Sequence, residues 1–123
     1  MSTGILIVDD SPQIRNMIKL WIESETNFQV CGEAGDGVEG IQKALQLKPD
    51  LIVLDLFMPR LGGLETAKAI RSALPETPII LFTLYADSDV AERAREVGVN
   101  SVLSKMDQMD SLCSEVGRLV GVS

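Results

Sequence analysis

Short runs of branched apolar residues alternate along this chain with longer stretches whose apolar positions recur every three or four residues. Ile5-Leu-Ile-Val8 is continuous and bounded by polar residues, the pattern of a strand covered on both faces. Ser11 and Pro12 then supply a cap and a first-turn proline, and Ile14, Met17, Ile18, Trp21 and Ile22 recur at helical spacing. The same alternation predicts strands at 28–33, 51–54, 78–82 and, more weakly, 101–104. Helices are predicted over 38–47, 64–74, 87–97 with Gly98 closing it, and 107–120, where Met109, Leu112, Cys113, Val116, Leu119 and Val120 form an apolar stripe.

Five strand–helix units joined by short connections imply a parallel sheet with right-handed crossovers and helices on both faces. A closed eight-unit barrel needs roughly 250 residues, so at 123 residues the α/β class resolves to an open, doubly wound five-stranded sheet. The length fits one domain, 1–123, with no repeat and no linker.

Composition removes several function classes. Hydrophobic residues at 46% and charged residues at 24% argue against disorder. The formal charge of −7 and the lack of a basic cluster argue against direct contact with nucleic acid. The apolar runs are roughly five residues long, far below the ~20 of a membrane span, and no signal sequence opens the chain, so the expectation is a cytoplasmic protein without a membrane partner. Cys31 and Cys113 lack metal spacing and are expected to be buried thiols. The absence of histidine removes imidazole chemistry.

Candidate chemistry sits where the strands end. Asp9-Asp10 follows the first run, Asp55 the third, Thr83 the fourth and Lys105 the fifth, and in an open parallel sheet those ends share one edge. Each has an ordinary explanation when taken singly: a turn carboxylate, a capping hydroxyl, a solvated lysine. Together they place three carboxylates side by side, repelling by about 1 kcal/mol per pair at ~4 Å even in water, an arrangement that a cation relieves. Oxygen-only ligands favour a hard ion such as Mg²⁺. A carboxylate beside Mg²⁺ can act as nucleophile toward a phosphoryl group, with Lys105 and Thr83 available to the equatorial oxygens.

Gly35-Asp-Gly37-Val-Glu-Gly40 spells a dinucleotide fingerprint, with Asp55 about twenty residues on. Asp36 and Glu39 would place negative charge where a pyrophosphate must approach, so the glycines are read as turn and helix-entry residues. A phosphatase with an aspartate two positions after Asp55 is also disfavoured, because position 57 is Phe.

The chain resembles, along essentially its whole length, the receiver domain of bacterial response regulators. The stretches that carry the likeness are Ile5-Leu-Ile-Val-Asp-Asp-Ser11, Asp55-Leu-Phe-Met-Pro59 with Gly62-Gly63, Phe82-Thr83 and Ser104-Lys105. The resemblance implies a flavodoxin-like strand order 2-1-3-4-5 and an Asp55 that accepts phosphate from a sensor histidine kinase or phosphotransfer protein. It further implies that Asp9, Asp10 and the backbone carbonyl of Phe57 join Asp55 in holding Mg²⁺, that Thr83 contacts the phosphoryl oxygens and that Lys105 pairs with them. Such a chain is not a conventional enzyme. Its expected partner is a downstream protein effector that reads the face formed by residues 87–120, with a phosphorylation-dependent homodimer as a further expectation.

Three positions depart from the family pattern. Val102 stands where receivers usually carry an aromatic residue that moves with the threonine, Met106 stands where a proline usually follows the lysine, and Leu84 replaces a small residue after the threonine. The Lys105–Met106 peptide is therefore expected to be trans, since a non-proline cis bond costs ~2.5–4 kcal/mol. Thr83, Tyr85 and Val102 are the candidate switch residues, and Leu84 and Tyr85 are expected to shield the acyl phosphate in part. A constitutive interaction module with a vestigial switch is the alternative.

Overall fold

A computed structural model describes residues 4–106 and 109–120. Its elements alternate in chain order: β1 Gly4–Val8, α1 Pro12–Glu25, β2 Gln29–Ala34, α2 Gly37–Leu47, β3 Leu51–Leu54, α3 Gly63–Ala73, β4 Ile79–Thr83, α4 Ser88–Glu96, β5 Ser101–Ser104 and α5 Met109–Val120. The strands pair in parallel in the order β2-β1-β3-β4-β5, the doubly wound order expected. Asp107, expected to start the last helix, lies outside the described residues, as does the side chain of Met109.

Alternation along each central strand explains why these runs contain no polar residue. Ile5, Ile7, Leu51, Val53, Ile80 and Phe82 point into a core covered by α1 and α5 through Ile18, Ile22, Leu112 and Val116. Leu6, Val8, Ile52, Leu54, Ile79 and Leu81 point to the opposite face, under α2, α3 and α4. Both faces exclude water, so each run has to be apolar throughout. The first polar residue after each of these runs, Asp9, Asp55 or Thr83, marks the carboxyl end of the strand and is still buried there.

Local signals behave as their chemistry dictates. Ser11 caps α1 by accepting from the Ile14 amide, with Pro12 in the first turn. Gly98 has φ of 93°, the left-handed conformation that stops α4 and turns the chain toward β5. Gly37 and Gly40 are required by packing: a Cβ on Gly37 would lie 2.2 Å from Thr66 Oγ1, and one on Gly40 2.9 Å from Val8. Asp36 accepts from the Glu39 amide while Glu39 accepts from the Gly35 amide, so two carboxylates occupy the amino end of α2. That end is closed to a phosphate, which disposes of the dinucleotide reading.

One expectation fails. Cys31 is exposed, because the pairing register of β1 with β2 slips there: Ile5 faces Val30 and Leu6 faces Gly32. Cys31 is the extra residue of a bulge on an edge strand, displaced from the alternation that would have buried it. Cys113 is half-buried, its thiol 3.8 Å from the Trp21 carbonyl oxygen.

Candidate functional site

The four strand ends deliver their polar residues to one edge. The Asp9 amide donates to the Ala34 carbonyl and the Asp55 amide to the Val8 carbonyl, so ladder bonds continue one residue past each run and hold both carboxylates in place. The Lys105 amide donates to the Thr83 carbonyl in the same way. Asp9, Asp55 and Thr83 are buried, at 2%, 8% and 0% exposure, and Asp10 is exposed.

Lys105 Nζ donates to Asp9 Oδ2 at 2.6 Å and lies 3.4 Å from Asp55 Oδ1. Asp9 Oδ1 accepts from the Ser11 amide at 2.9 Å, and Asp55 Oδ1 accepts from the Leu56 amide at 2.8 Å. One ligand oxygen from each of Asp9, Asp10 and Asp55 falls within 4.8 Å of the others. Burial pushes the Asp55 carboxyl above its ordinary range, the Lys105 ammonium opposes that rise, and the Asp9 charge adds to it. Three convergent oxygen donors beside one ammonium could hold a metal ion, and an all-carboxylate donor set of this kind fits a hard cation such as Mg²⁺, which Asp9, Asp10 and Asp55 would hold.

Two further residues support the acidic edge. Arg15, on the first turns of α1, donates to the Asp9 carbonyl at 2.6 Å and to Glu33 at 3.1 Å, tying the acidic turn to β2. A cation on α1 five residues past Asp10 was the available signal. Gly63 sits so close to Asp55 that a Cβ would lie 2.2 Å from its carbonyl oxygen, which explains why α3 must open on glycine after the loop that follows β3.

The switch candidates are arranged unlike the acceptor. Thr83 is on the α4 side of the sheet, and its hydroxyl accepts from the Tyr85 amide at 3.3 Å. Tyr85 and Leu84 are more than half exposed, and the Tyr85 ring meets Phe57 edge-on, with centroids 4.9 Å apart. Val102 is half-buried against the α4-side core. Among the described residues no peptide bond is cis, Lys105–Met106 included, and no helix is long and apolar enough to cross a membrane.

Residues 5–117 match the model of the response regulator receiver domain. The response regulator protein VraR of Staphylococcus aureus is 32% identical over 116 residues, covering 94% of this chain and 56% of VraR, so the chain spans about half the length of the curated relatives it matches. Among solved structures, the response regulator domain of Thermotoga maritima CheB superposes with a TM-score of 0.92 at 28% identity, covering 100% of this chain and 99% of the other. A LuxR-family two-component response regulator from Aurantimonas sp. SI85-9A1 gives 0.93 at 28% identity, covering 98% and 86%. A family match over nearly every residue, with the polar groups at the expected edge, means that this chain belongs to the response regulator receiver domains of two-component signalling.

Proposed function

We propose that this domain is a phosphoacceptor: Asp55 takes a phosphoryl group from the phosphohistidine of a sensor kinase or phosphotransfer protein, with Mg²⁺ held by Asp9, Asp10, Asp55 and the Phe57 carbonyl. The observation that carries the reading is the convergence of Asp9, Asp10 and Asp55 on one edge, with Lys105 bridging two of them at 2.6 and 3.4 Å. An Asp55 carboxylate oxygen attacks phosphorus in line, the P–N bond breaks, and the imidazole nitrogen leaves with the electron pair and takes a proton from solvent. The bound cation supplies charge neutralisation at the phosphoryl oxygens. Lys105 then exchanges its place beside Asp55 for a phosphoryl oxygen, and the buried Thr83 hydroxyl donates to another. Because the Leu56 amide fixes Asp55 Oδ1, the second oxygen, Oδ2, is the nucleophile.

Modification biases the surface of α4, β5 and α5 toward a protein partner, and moving a population from 1:99 to 99:1 takes about 5.5 kcal/mol of differential binding. The phosphoryl transfer is self-directed, and the domain turns over no external substrate beyond the slow loss of its own acyl phosphate.

The test is Mg²⁺-dependent labelling by acetyl phosphate, read by intact mass on the wild type and on Asp55→Asn. A single added phosphoryl group, absent from Asp55→Asn and from samples with EDTA, is the expected result. A folded protein that stays unlabelled with both acetyl phosphate and a competent kinase would instead be a constitutive interaction module, the alternative that Leu84, Val102 and Met106 leave open.

A further inference from the structure

We propose that Tyr85 and Phe57 are positioning residues for the Thr83 hydroxyl and carry its state to the cleft between α3 and α4. The inference rests on the reading of Asp55 as phosphoacceptor and adds a route by which the modification is read. It starts from the hydrogen bond at Thr83, whose buried Oγ1 accepts from the Tyr85 amide. That bond occupies an oxygen lone pair and leaves the hydroxyl proton free to donate, the polarity that a phosphoryl oxygen requires.

The Tyr85 side chain is in turn braced by Phe57, with ring centroids 4.9 Å apart and planes at 87°, an edge-to-face contact that fixes the turn after β4 against the loop after β3. Both rings are more than half exposed, so the contact holds by ring complementarity with little burial behind it. Phe57 lines a cleft of about 180 Å³, together with Leu64 of α3 and Val90 and Arg93 of α4. Strand alternation places Thr83 on the same face as Leu81 and Val102, the face that α4 covers through Val90 and Ala94.

Val102 offers no ring that could follow a displaced Thr83, whereas Tyr85 is joined to Thr83 by a hydrogen bond and to Phe57 by its ring. When Asp55 carries a phosphoryl group, the Thr83 hydroxyl donates to it and its oxygen is drawn toward Asp55, away from the Tyr85 amide that donates to it at 3.3 Å. The turn is released, the ring pair parts or slides, and the mouth of the cleft changes beside α4. A helix held by two buried residues, Val90 and Ala94, is well suited to respond to a small displacement at its first turn.

The chain contains one tyrosine, so biosynthetic fluorotyrosine reports on Tyr85 through a single fluorine resonance. Acetyl phosphate and Mg²⁺ should move that resonance in proportion to the mass-labelled fraction of the wild type. Compared at equal label, Thr83→Val should leave it unmoved. In the same samples, hydrogen exchange along α4 should change by at least about threefold on labelling of the wild type and of Tyr85→Phe, which keeps the ring, and not of Phe57→Leu or Tyr85→Ala. A labelled wild type with a static resonance, a Thr83→Val resonance that moves as in the wild type, or an α4 response that survives loss of either ring would each overturn the proposal while leaving the phosphoacceptor reading intact. Failure to label the wild type by any donor would remove both.

Discussion

At the carboxyl edge of the sheet three carboxylates crowd within 4.8 Å around one ammonium, whereas at the amino edge the charged groups are matched by fixed partners. There, the Arg71 guanidinium donates to the carbonyls of Leu74, Pro75 and Gly98 and to the Asn100 side chain, tying the end of α3 to the start of β5. The same Asn100 oxygen accepts from the Ile79 amide, so one cation organises the entry to two strands. Asp55 has the Lys105 ammonium at 3.4 Å and the Leu56 amide, and burial still pushes its carboxyl up. The difference separates two uses of charge in one sheet. Charge at the amino edge fastens the fold, and charge at the carboxyl edge is left partly uncompensated, which is what the proposed cation and phosphoryl group would complete.

Substitution at the two edges should therefore move stability and labelling independently. Arg71→Ala leaves three carbonyls at the ends of α3 and α4 without their donor and should lower stability by about 2 kcal/mol, toward the upper end for hydrogen bonds from a charged group. Urea unfolding measures that loss, and phosphorylation of the folded fraction by acetyl phosphate should be unchanged. Reduced labelling of the folded fraction would mean that the two edges are coupled through β4 and β5, which this comparison denies.

Asp55→Asn should behave in the opposite way, abolishing labelling while stabilising the metal-free fold through removal of a buried charge. The sign follows from the direction of the shift. A carboxyl raised in the folded state favours folding below its unfolded pKa and loses that contribution as pH rises through the folded value, so at neutral pH ionised Asp55 works against the fold. Unfolding with EDTA and again with saturating Mg²⁺ sharpens the point: the cation should raise the wild-type midpoint and narrow or reverse the gap to Asp55→Asn. A metal-free Asp55→Asn that is less stable than the wild type would show that its pairing with Lys105 outweighs its burial.

How much of this was legible in the chain differs between regions for a physical reason. Runs buried on both faces, such as Leu51–Leu54, admit no polar residue, so their ends announce themselves and Asp9, Asp55 and Thr83 are legible on one edge from the sequence, whereas Lys105 follows the half-buried, serine-flanked β5 and is legible only through the alternation of strands and helices. Cys31 was misplaced because a register slip on an edge strand leaves no mark in the hydrophobic pattern. Arg15 was missed because its partner is a backbone carbonyl, which every residue possesses and no motif records. The Phe57–Tyr85 contact joins two loops 28 positions apart through exposed rings, where neither periodicity nor burial specifies a partner.

The smallest effect belongs to the second charged cluster of the amino edge. Glu115 accepts from Ser101 and Arg118, and those hydrogen bonds, led by Arg118, hold its carboxyl down from 4.5 to about 2. A carboxyl depressed in the fold contributes stability above its unfolded pKa, and that contribution fades as pH falls from about 4.5 toward about 2. Arg118 is 63% exposed, so solvent screens the pair and Glu115→Gln should lose less than about 1 kcal/mol at neutral pH. Thermal unfolding from pH 7 down to pH 2 should show the variant and the wild type converging at the acid end, and labelling at Asp55, measured at neutral pH, should be the same in both. A deficit that persisted at pH 2 would trace to lost packing against β5, and Glu115 would then belong with the apolar contacts that seat α5 rather than with the compensated charges that set this edge apart.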